Sequence, residues 1–280
     1  MLIFDTKVAL NEHLSSIKSQ KKQIGFVPTM GALHKGHISM INLSKQANLY
    51  TVCSIFVNPT QFNNKTDLEN YPRTLKSDLS LLEKEGCDAV FVPSVDEIYP
   101  KEDNRVFNFG QLDSVLEGKY RPGHFAGVAK VVSILFDCVK PDVAFFGSKD
   151  FQQVMIIKEL VKQLKLKVEI KTCPIIREED GLAMSSRNMR LSFEERNAAK
   201  LIPQLLNEAK SMKNKSNSIQ EIKNYISDSL SKNTIYKLEY FEICDPENLN
   251  SLINFDDKIS PIALIACFVG KIRLIDNIFL

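Results

Sequence analysis

The amino-acid sequence predicts an α/β protein, a doubly wound parallel sheet followed by a smaller α+β domain, on three observations. Short apolar runs rich in β-branched residues alternate through residues 1–175 with stretches of helical period. A turn of glycine and histidine joins the first long run to the helix after it. Beyond Pro174 the order changes to helices followed by strands, which suits a mostly antiparallel sheet. Domains are therefore expected at 1–175 and 176–280.

Taken in order, residues 6–19 read as an amphipathic helix on Val8, Leu10, Leu14 and Ile17. Residues 23–27 read as a buried strand on Ile24, Phe26 and Val27, with Pro28 expected to stop its pairing. Ile38, Ile41 and Leu43 open the next helix. Residues 50–57 are nearly all apolar, as a strand covered on both faces should be. That strand runs into Asn58-Pro59-Thr60-Gln61-Phe62, at the sheet edge where open α/β folds hold ligands. A helix over 74–85 stops at Gly86, and the strand 89–92 stops at Pro93. Residues 94–127 read as loop-rich. A helix (128–139), a strand (143–146), a helix (151–164) and a strand (168–173) complete the first domain. In the second, Ser192 and Glu195 form a capping box for a helix through 212. A polar linker (213–218), a helix (219–230) and strands at 238–244, 262–269 and 272–275 follow.

Composition removes several classes of function. At 280 residues the chain is long for one core. With 44% hydrophobic and 25% charged residues it is an ordinary globular sequence. A net charge of +2 gives little footprint for nucleic acid. The longest apolar run near the C-terminus, 262–270, is strand-sized, so no membrane association is expected. The first residues lack a basic segment followed by a long apolar one, and no signal peptide is expected. Six cysteines lie scattered without a Cys-x-x-Cys unit, which points to reduced, buried thiols in the cytoplasm rather than to a nucleophile.

The chemistry gathers around Val27-Pro28-Thr29-Met30-Gly31-Ala32-Leu33-His34-Lys35-Gly36-His37. A strand entering a helix N-terminus is expected to aim free backbone N–H groups above the turn, where an anion is favoured. Gly36 lets a ring or phosphate approach the main chain, and His34 and His37 can donate to phosphate oxygens from one side of the first helical turn. The combination suits a nucleoside triphosphate. The pair also fits half a metal site or a purely structural role. With four histidines in the chain, no His-Glu-x-x-His and no cysteine pair nearby, no protein metal ligand is assigned. Lys149, between a strand and a helix, reads either as a surface lysine or as one that can reach phosphates resting on that helix. Asp150 reads as a helix cap that can also contact ribose or hydrated Mg²⁺. Gln61 and Gln153 offer donors and acceptors for a small hydroxy acid. Met184-Ser185-Ser186-Arg187 reads either as a polar loop or as a phosphate clamp closing over a nucleotide. His13 reads as a surface residue, and His124 as packing or site.

Further segments extend the pattern: Tyr71-Pro72-Arg73-Thr74, Arg121-Pro122-Gly123-His124-Phe125-Ala126-Gly127-Val128, and Phe145-Phe146-Gly147-Ser148-Lys149-Asp150-Phe151-Gln152-Gln153. Asp180-Gly181-Leu182-Ala183-Met184-Ser185-Ser186-Arg187-Asn188 and Arg273-Leu274-Ile275-Asp276-Asn277 follow. In this order, over essentially the whole chain, they resemble the pantothenate synthetase (pantoate–β-alanine ligase) family of the His-x-Gly-His nucleotidyltransferase superfamily. The resemblance implies a Rossmann-like first domain with the smaller domain closing over the site. It implies ATP-dependent condensation of (R)-pantoate with β-alanine through a pantoyl adenylate, releasing pyrophosphate and AMP. By the same resemblance, ATP is bound by Met30, Gly31, Ala32, Leu33, His34, Lys35, Gly36, His37, Gly147, Ser148, Lys149, Asp150, Ile176, Met184, Ser185, Ser186 and Arg187. Mg²⁺ accompanies the nucleotide. His34, His37, Lys149 and Arg187 are the catalytic candidates, and Gln61 and Gln153 hold pantoate, with Gln61 also facing β-alanine. A cytoplasmic homodimer with small-molecule partners only is implied, without a fused nucleotide kinase after residue 280. Ser148 departs from the glutamate frequent in the family, and no base for the β-alanine ammonium is evident. The alternatives are transfer of AMP or CMP to a phosphorylated acceptor, and an ATP sensor without turnover.

Overall fold

Six strands, β1 (Leu2–Phe4), β2 (Ile24–Thr29), β3 (Tyr50–Ile55), β4 (Ala89–Phe91), β5 (Val143–Gly147) and β6 (Glu169–Cys173), make the first sheet in the computed structural model, which describes residues 1–101 and 103–280. Their order is β1-β4-β3-β2-β5-β6, and every neighbouring pair runs parallel. Between them run α1 (Lys7–Ser19), α2 (Lys35–Gln46), α3 (Lys65–Glu69), α4 (Leu75–Lys84), α5 (Val95–Ile98), α6 (Leu116–Tyr120), α7 (His124–Val139) and α8 (Phe151–Gln163). Successive strand residues face opposite sides. Phe26, Val52, Phe91 and Phe146 pack in a core with Leu10 and Leu14 of α1, Leu135 of α7 and Ile157 of α8. Their neighbours Val27, Cys53, Val90 and Phe145 pack in another with Ile38 and Ile41 of α2 and Leu82 of α4. Apolar residues on both faces explain the continuous apolar runs, and helices on both faces make the sheet doubly wound.

β3 lies on one side of β2 and β5 on the other, so the chain reverses its direction of travel at β2. In such sheets the crevice at the carboxyl ends of the two strands flanking the reversal receives the ligand. The His-x-Gly-His turn follows β2, and Gly147 ends β5, so both sit at that crevice.

Several local expectations are corrected. Pro28 does not end β2: it pairs with Ser54, and pairing continues to Thr29 with Ile55. The Thr29 carbonyl accepts from Phe56 N and so points toward β3, which turns the missing N–H of Pro28 to the β5 side. Pairing with β5 is made at Gly25 and Phe26 and does not extend to Pro28, so the proline removes no ladder bond. The N-terminal residues form an edge strand that the sequence left unassigned. Within 94–127 lie α5, α6 and a 3₁₀ turn (Gly110–Asp113), and Glu102 is outside the described residues. Val8 is 67% exposed and does not belong to the buried face of α1. His13 is half-buried, with its Nε2 2.7 Å from the Tyr50 hydroxyl.

The chain folds as two units, one of residues 1–148 and 153–174, the other of 149–152 and 175–280. The second contains α9 (Phe193–Ala199), α10 (Leu201–Asn214), α11 (Ile219–Ser231) and the antiparallel sheet β7 (Tyr236–Cys244), β8 (Ile262–Val269), β9 (Ile272–Phe279). Ile202, Leu206, Ile222 and Ile226 of the helices pack with Phe241, Ile265 and Leu274 of the sheet. The capping box of Ser192 and Glu195 is present. The single helix expected through 212 is instead two, meeting at Lys200. Pro203 has no N–H to offer the Ala199 carbonyl, so the helical ladder breaks there. Among the described residues no helix is long and apolar enough to cross a membrane.

Candidate nucleotide and substrate site

The turn after β2 is held by its own side chains. Thr29 Oγ1 donates to the Ser54 carbonyl at 2.6 Å and accepts from Gly31 N at 3.2 Å. Gly31 and Ala32 both have positive φ, +76° and +50°, and the alanine is the uncommon case. Asp78 of α4, 3% exposed, stabilises that backbone: its carboxylate accepts from Ala32 N at 2.9 Å, Leu33 N at 2.8 Å and Thr74 Oγ1 at 3.1 Å. His34 is the N-cap of α2, with Nδ1 accepting from Gly36 N at 3.2 Å. His37 Nδ1 accepts in return from His34 N at 3.3 Å, and the ring centroids lie 4.0 Å apart.

This geometry changes the expected means of anion binding. The sequence suggests free amides above the turn. Those of Gly31, Ala32, Leu33, His34 and Gly36 are instead engaged within the turn, and Asp78 occupies the concavity an anion would use. The histidine rings therefore supply the side-chain donors of this turn. A ring nitrogen that accepts a hydrogen bond carries no proton, so both neutral imidazoles hold theirs on Nε2. The donor of each ring is thus its Nε2–H.

Beside this turn lies a network at the end of β3. Asn58, 1% exposed, donates from Nδ2 to Gln61 Oε1 and the Gly127 carbonyl, both at 3.1 Å. Its Oδ1 accepts from the Tyr99 hydroxyl at 2.9 Å and Thr60 Oγ1 at 3.0 Å. Gln61 Nε2 reaches Met30 Sδ at 3.1 Å, which brings two of the assigned residues together. His124, 5% exposed, donates from Nδ1 to the Gln61 carbonyl at 2.9 Å, so it fixes the loop. A Cβ on Gly127 would stand 2.4 Å from the Thr60 carbonyl oxygen, which makes glycine the residue that lets α7 approach this loop. Gly147 and Ser148 end the first unit's run at β5, and Gln153 lies on α8, half-buried.

The other assigned residues belong to the second unit. Residues 176–184 form a small hairpin: Met184 N donates to the Ile176 carbonyl at 3.0 Å, Glu178 N to the Leu182 carbonyl at 2.9 Å, and Gly181 turns at φ +87°. The hairpin delivers Met184 to a 3₁₀ turn (Ser186–Arg190), where Ser185 Oγ accepts from Arg187 N at 3.2 Å. Arg196 pairs with Glu178 at 2.9 Å and Asp180 at 2.7 Å, which offsets part of the charge at the hairpin's acidic end. Lys149 Nζ lies 3.9 Å from Asp150 Oδ2, a loose pair. Arg177 grips Asp276 of β9 at 2.6 and 3.0 Å. Burial pushes the Asp276 carboxyl up, and Arg177 pulls against that.

Asp78, Asn58, Arg177 and Asp276 were not singled out by sequence as site residues. Asn-Pro after a strand is the signal that exposes Asn58. Asp78 looks like any acid on an amphipathic helix. Among the described residues no cluster of three or more His, Cys, Asp or Glu side chains is arranged to hold a metal ion.

A family model described as pantoate-beta-alanine ligase matches residues 2–279. The pantothenate synthetase of Porphyromonas gingivalis is 48% identical over 278 residues, covering 99% of both chains. That of Bacteroides thetaiotaomicron is also 48% identical, over 99% of this chain and 98% of the relative. A crystal structure of pantothenate synthetase from Thermus thermophilus superposes with a TM-score of 0.93 at 37% identity, over 100% of this chain and 99% of that one. A pantoate-beta-alanine ligase from Francisella tularensis, complexed with beta-gamma ATP and beta-alanine, gives 0.84 at 38% identity, over 100% and 97%.

Proposed function

Because the chain belongs to the pantoate–β-alanine ligase family, we propose that the residues assigned above carry its reaction in two steps. The reaction itself is the ATP-dependent joining of pantoate to β-alanine. In the first step a pantoate carboxylate oxygen attacks the α-phosphorus of ATP. A new P–O bond forms, the bond to the bridging oxygen breaks, and pyrophosphate leaves. In the second the neutral amine of β-alanine attacks the acyl carbon, the amide forms, and AMP departs with the oxygen that pantoate contributed. The ammonium must shed one proton before it attacks and the nitrogen a second as the amide forms, and no side chain is assigned to take either.

The observation that carries the reading is the paired capping of His34 and His37 at the carboxyl end of β2. A carboxylate approaching a polyanion needs donors that are already oriented, since no reorganisation is then spent in the transition state. Two Nδ1 atoms fixed on backbone amides orient two Nε2–H groups in that way. Family membership supports Lys149, Ser185, Ser186 and Arg187 as the rest of the phosphate cover, and Gln61 and Gln153 as the pantoate contacts. The Gln61–Met30 contact supports a substrate carboxyl end close to the His-x-Gly-His turn. The side chains described do not build a cation cage of their own. Mg²⁺ belongs in the proposal as the ion the triphosphate brings with it, as is usual for this cation.

Family membership also supports a cytoplasmic homodimer, and a mass in solution equal to one chain would count against the dimer. The site is tested by His37→Ala and Lys149→Ala, assayed for pyrophosphate release with ATP and pantoate. Loss of an oriented transition-state donor costs on the order of 10²-fold or more. Wild-type rates in either variant would remove that residue from the phosphate cover.

A further inference from the structure

The C-terminal motif Arg273-Leu274-Ile275-Asp276-Asn277 has no part in the reaction as described, yet its last two residues are among the most buried polar groups of the second unit. Asp276 is 3% exposed and Asn277 4%. They are neighbours on β9, paired in register with Ile265 and Leu264 of β8, so their backbone is fixed by the sheet. Asp276 takes both Arg177 nitrogens, at 2.6 and 3.0 Å. The same guanidinium donates to the carbonyls of Gly181 at 3.0 Å and Asn277 at 3.3 Å. One planar fork therefore ties the tip of the 176–184 hairpin to the sheet. Asn277 N completes the arrangement by donating to Asp276 Oδ1 at 2.7 Å.

Asn277 then reaches elsewhere. Its Nδ2 donates to the Lys149 carbonyl at 2.9 Å. A second tie runs from the same strand, where the Phe279 ring meets Phe151 edge-on at 5.9 Å between centroids. Residues 149–152 accordingly group with the second unit although both flanking stretches belong to the first.

We propose that Asp276, Arg177 and Asn277 are positioning residues, which hold the Lys149 backbone and the hairpin bearing Met184–Arg187 in one fixed relation on β9. The inference rests on the proposed role of Lys149 in phosphate cover and deepens it. The three residues act through where they put the lysine and the clamp. Asn277 is the cleanest member to remove, because its side chain spans from the strand to Lys149 and the ion pair stays intact without it.

The test is a double-mutant cycle on the adenylation half-reaction, read as pyrophosphate release with ATP and pantoate. Asn277→Ala should lower that rate roughly tenfold to hundredfold, the cost of misplacing a group by about an ångström. The rate of the second half-reaction, started from supplied pantoyl adenylate and β-alanine, should stay within about twofold on the same reasoning. In a Lys149→Ala background, Asn277→Ala should cost nothing further, since interacting residues are non-additive. Asn277→Asp keeps the size and loses the donor, and should match the alanine variant if positioning is the cause. Full additivity of the two changes, or equal loss in both half-reactions, would overturn the proposal. So would an Asn277→Asp enzyme with wild-type adenylation. If Lys149→Ala alone leaves adenylation untouched, the failure belongs to the assignment of Lys149 instead.

Discussion

At the scale of single residues, an internal anion replaces the amide nest that sequence patterns suggest. Asp78 satisfies two amides of a turn whose Ala32 has φ +50°. Asp78→Asn would present an NH₂ group to one of those amides and leave it unpaired. A buried donor without a partner costs about 1–3 kcal/mol. Chemical denaturation should show that loss, and the KM for ATP should rise as the turn relaxes. Unchanged stability would mean that the turn holds itself. His34 and His37 were legible as a pair because helix geometry puts residues three apart on one side. Asp78 was not, because its partners lie 45 and 46 positions away in sequence. Asp276 and Asn277 were legible only as part of a family motif, since an acid and an amide on a strand give no sign of what they hold.

Among the elements, α7 and the loop after β3 share one close approach. Gly127→Ala would drive a Cβ against the Thr60 backbone, where no flexible side chain can yield. The helix or the loop must shift, at a cost of about 1–3 kcal/mol for overpacking. Because the Gly127 carbonyl accepts from Asn58, the displacement should also raise the KM for pantoate. A variant with wild-type stability and KM would contradict the account of that contact. Most elements could be read from apolar periodicity. Those that could not were decided by something other than periodicity: the direction of the Pro28 amide, the missing donor of Pro203, and a three-residue edge strand too short to show a pattern.

For the whole molecule, the parallel order of the first sheet and the antiparallel second sheet follow from alternation and its change after residue 174. The strand order could not be read, because it depends on which edges meet. Composition also bears on reactivity. Burial pushes the thiols of Cys87 and Cys244 up to about 12 and those of Cys138, Cys173 and Cys267 up to about 11. Complete burial raises the Cys53 thiol well above its ordinary value too. Thiolate is the reactive form, so at pH 8 the native protein should resist iodoacetamide and keep its activity. All six should be modified after denaturation; rapid loss of activity in the native state would require an accessible thiolate.

The two-step reading stands or falls on a single-turnover experiment with ATP and pantoate and no β-alanine. One equivalent of pyrophosphate per site should appear rapidly and stop, with sustained AMP release beginning when β-alanine is added. Pyrophosphate that appears only once β-alanine is present would contradict an adenylate formed ahead of the amine.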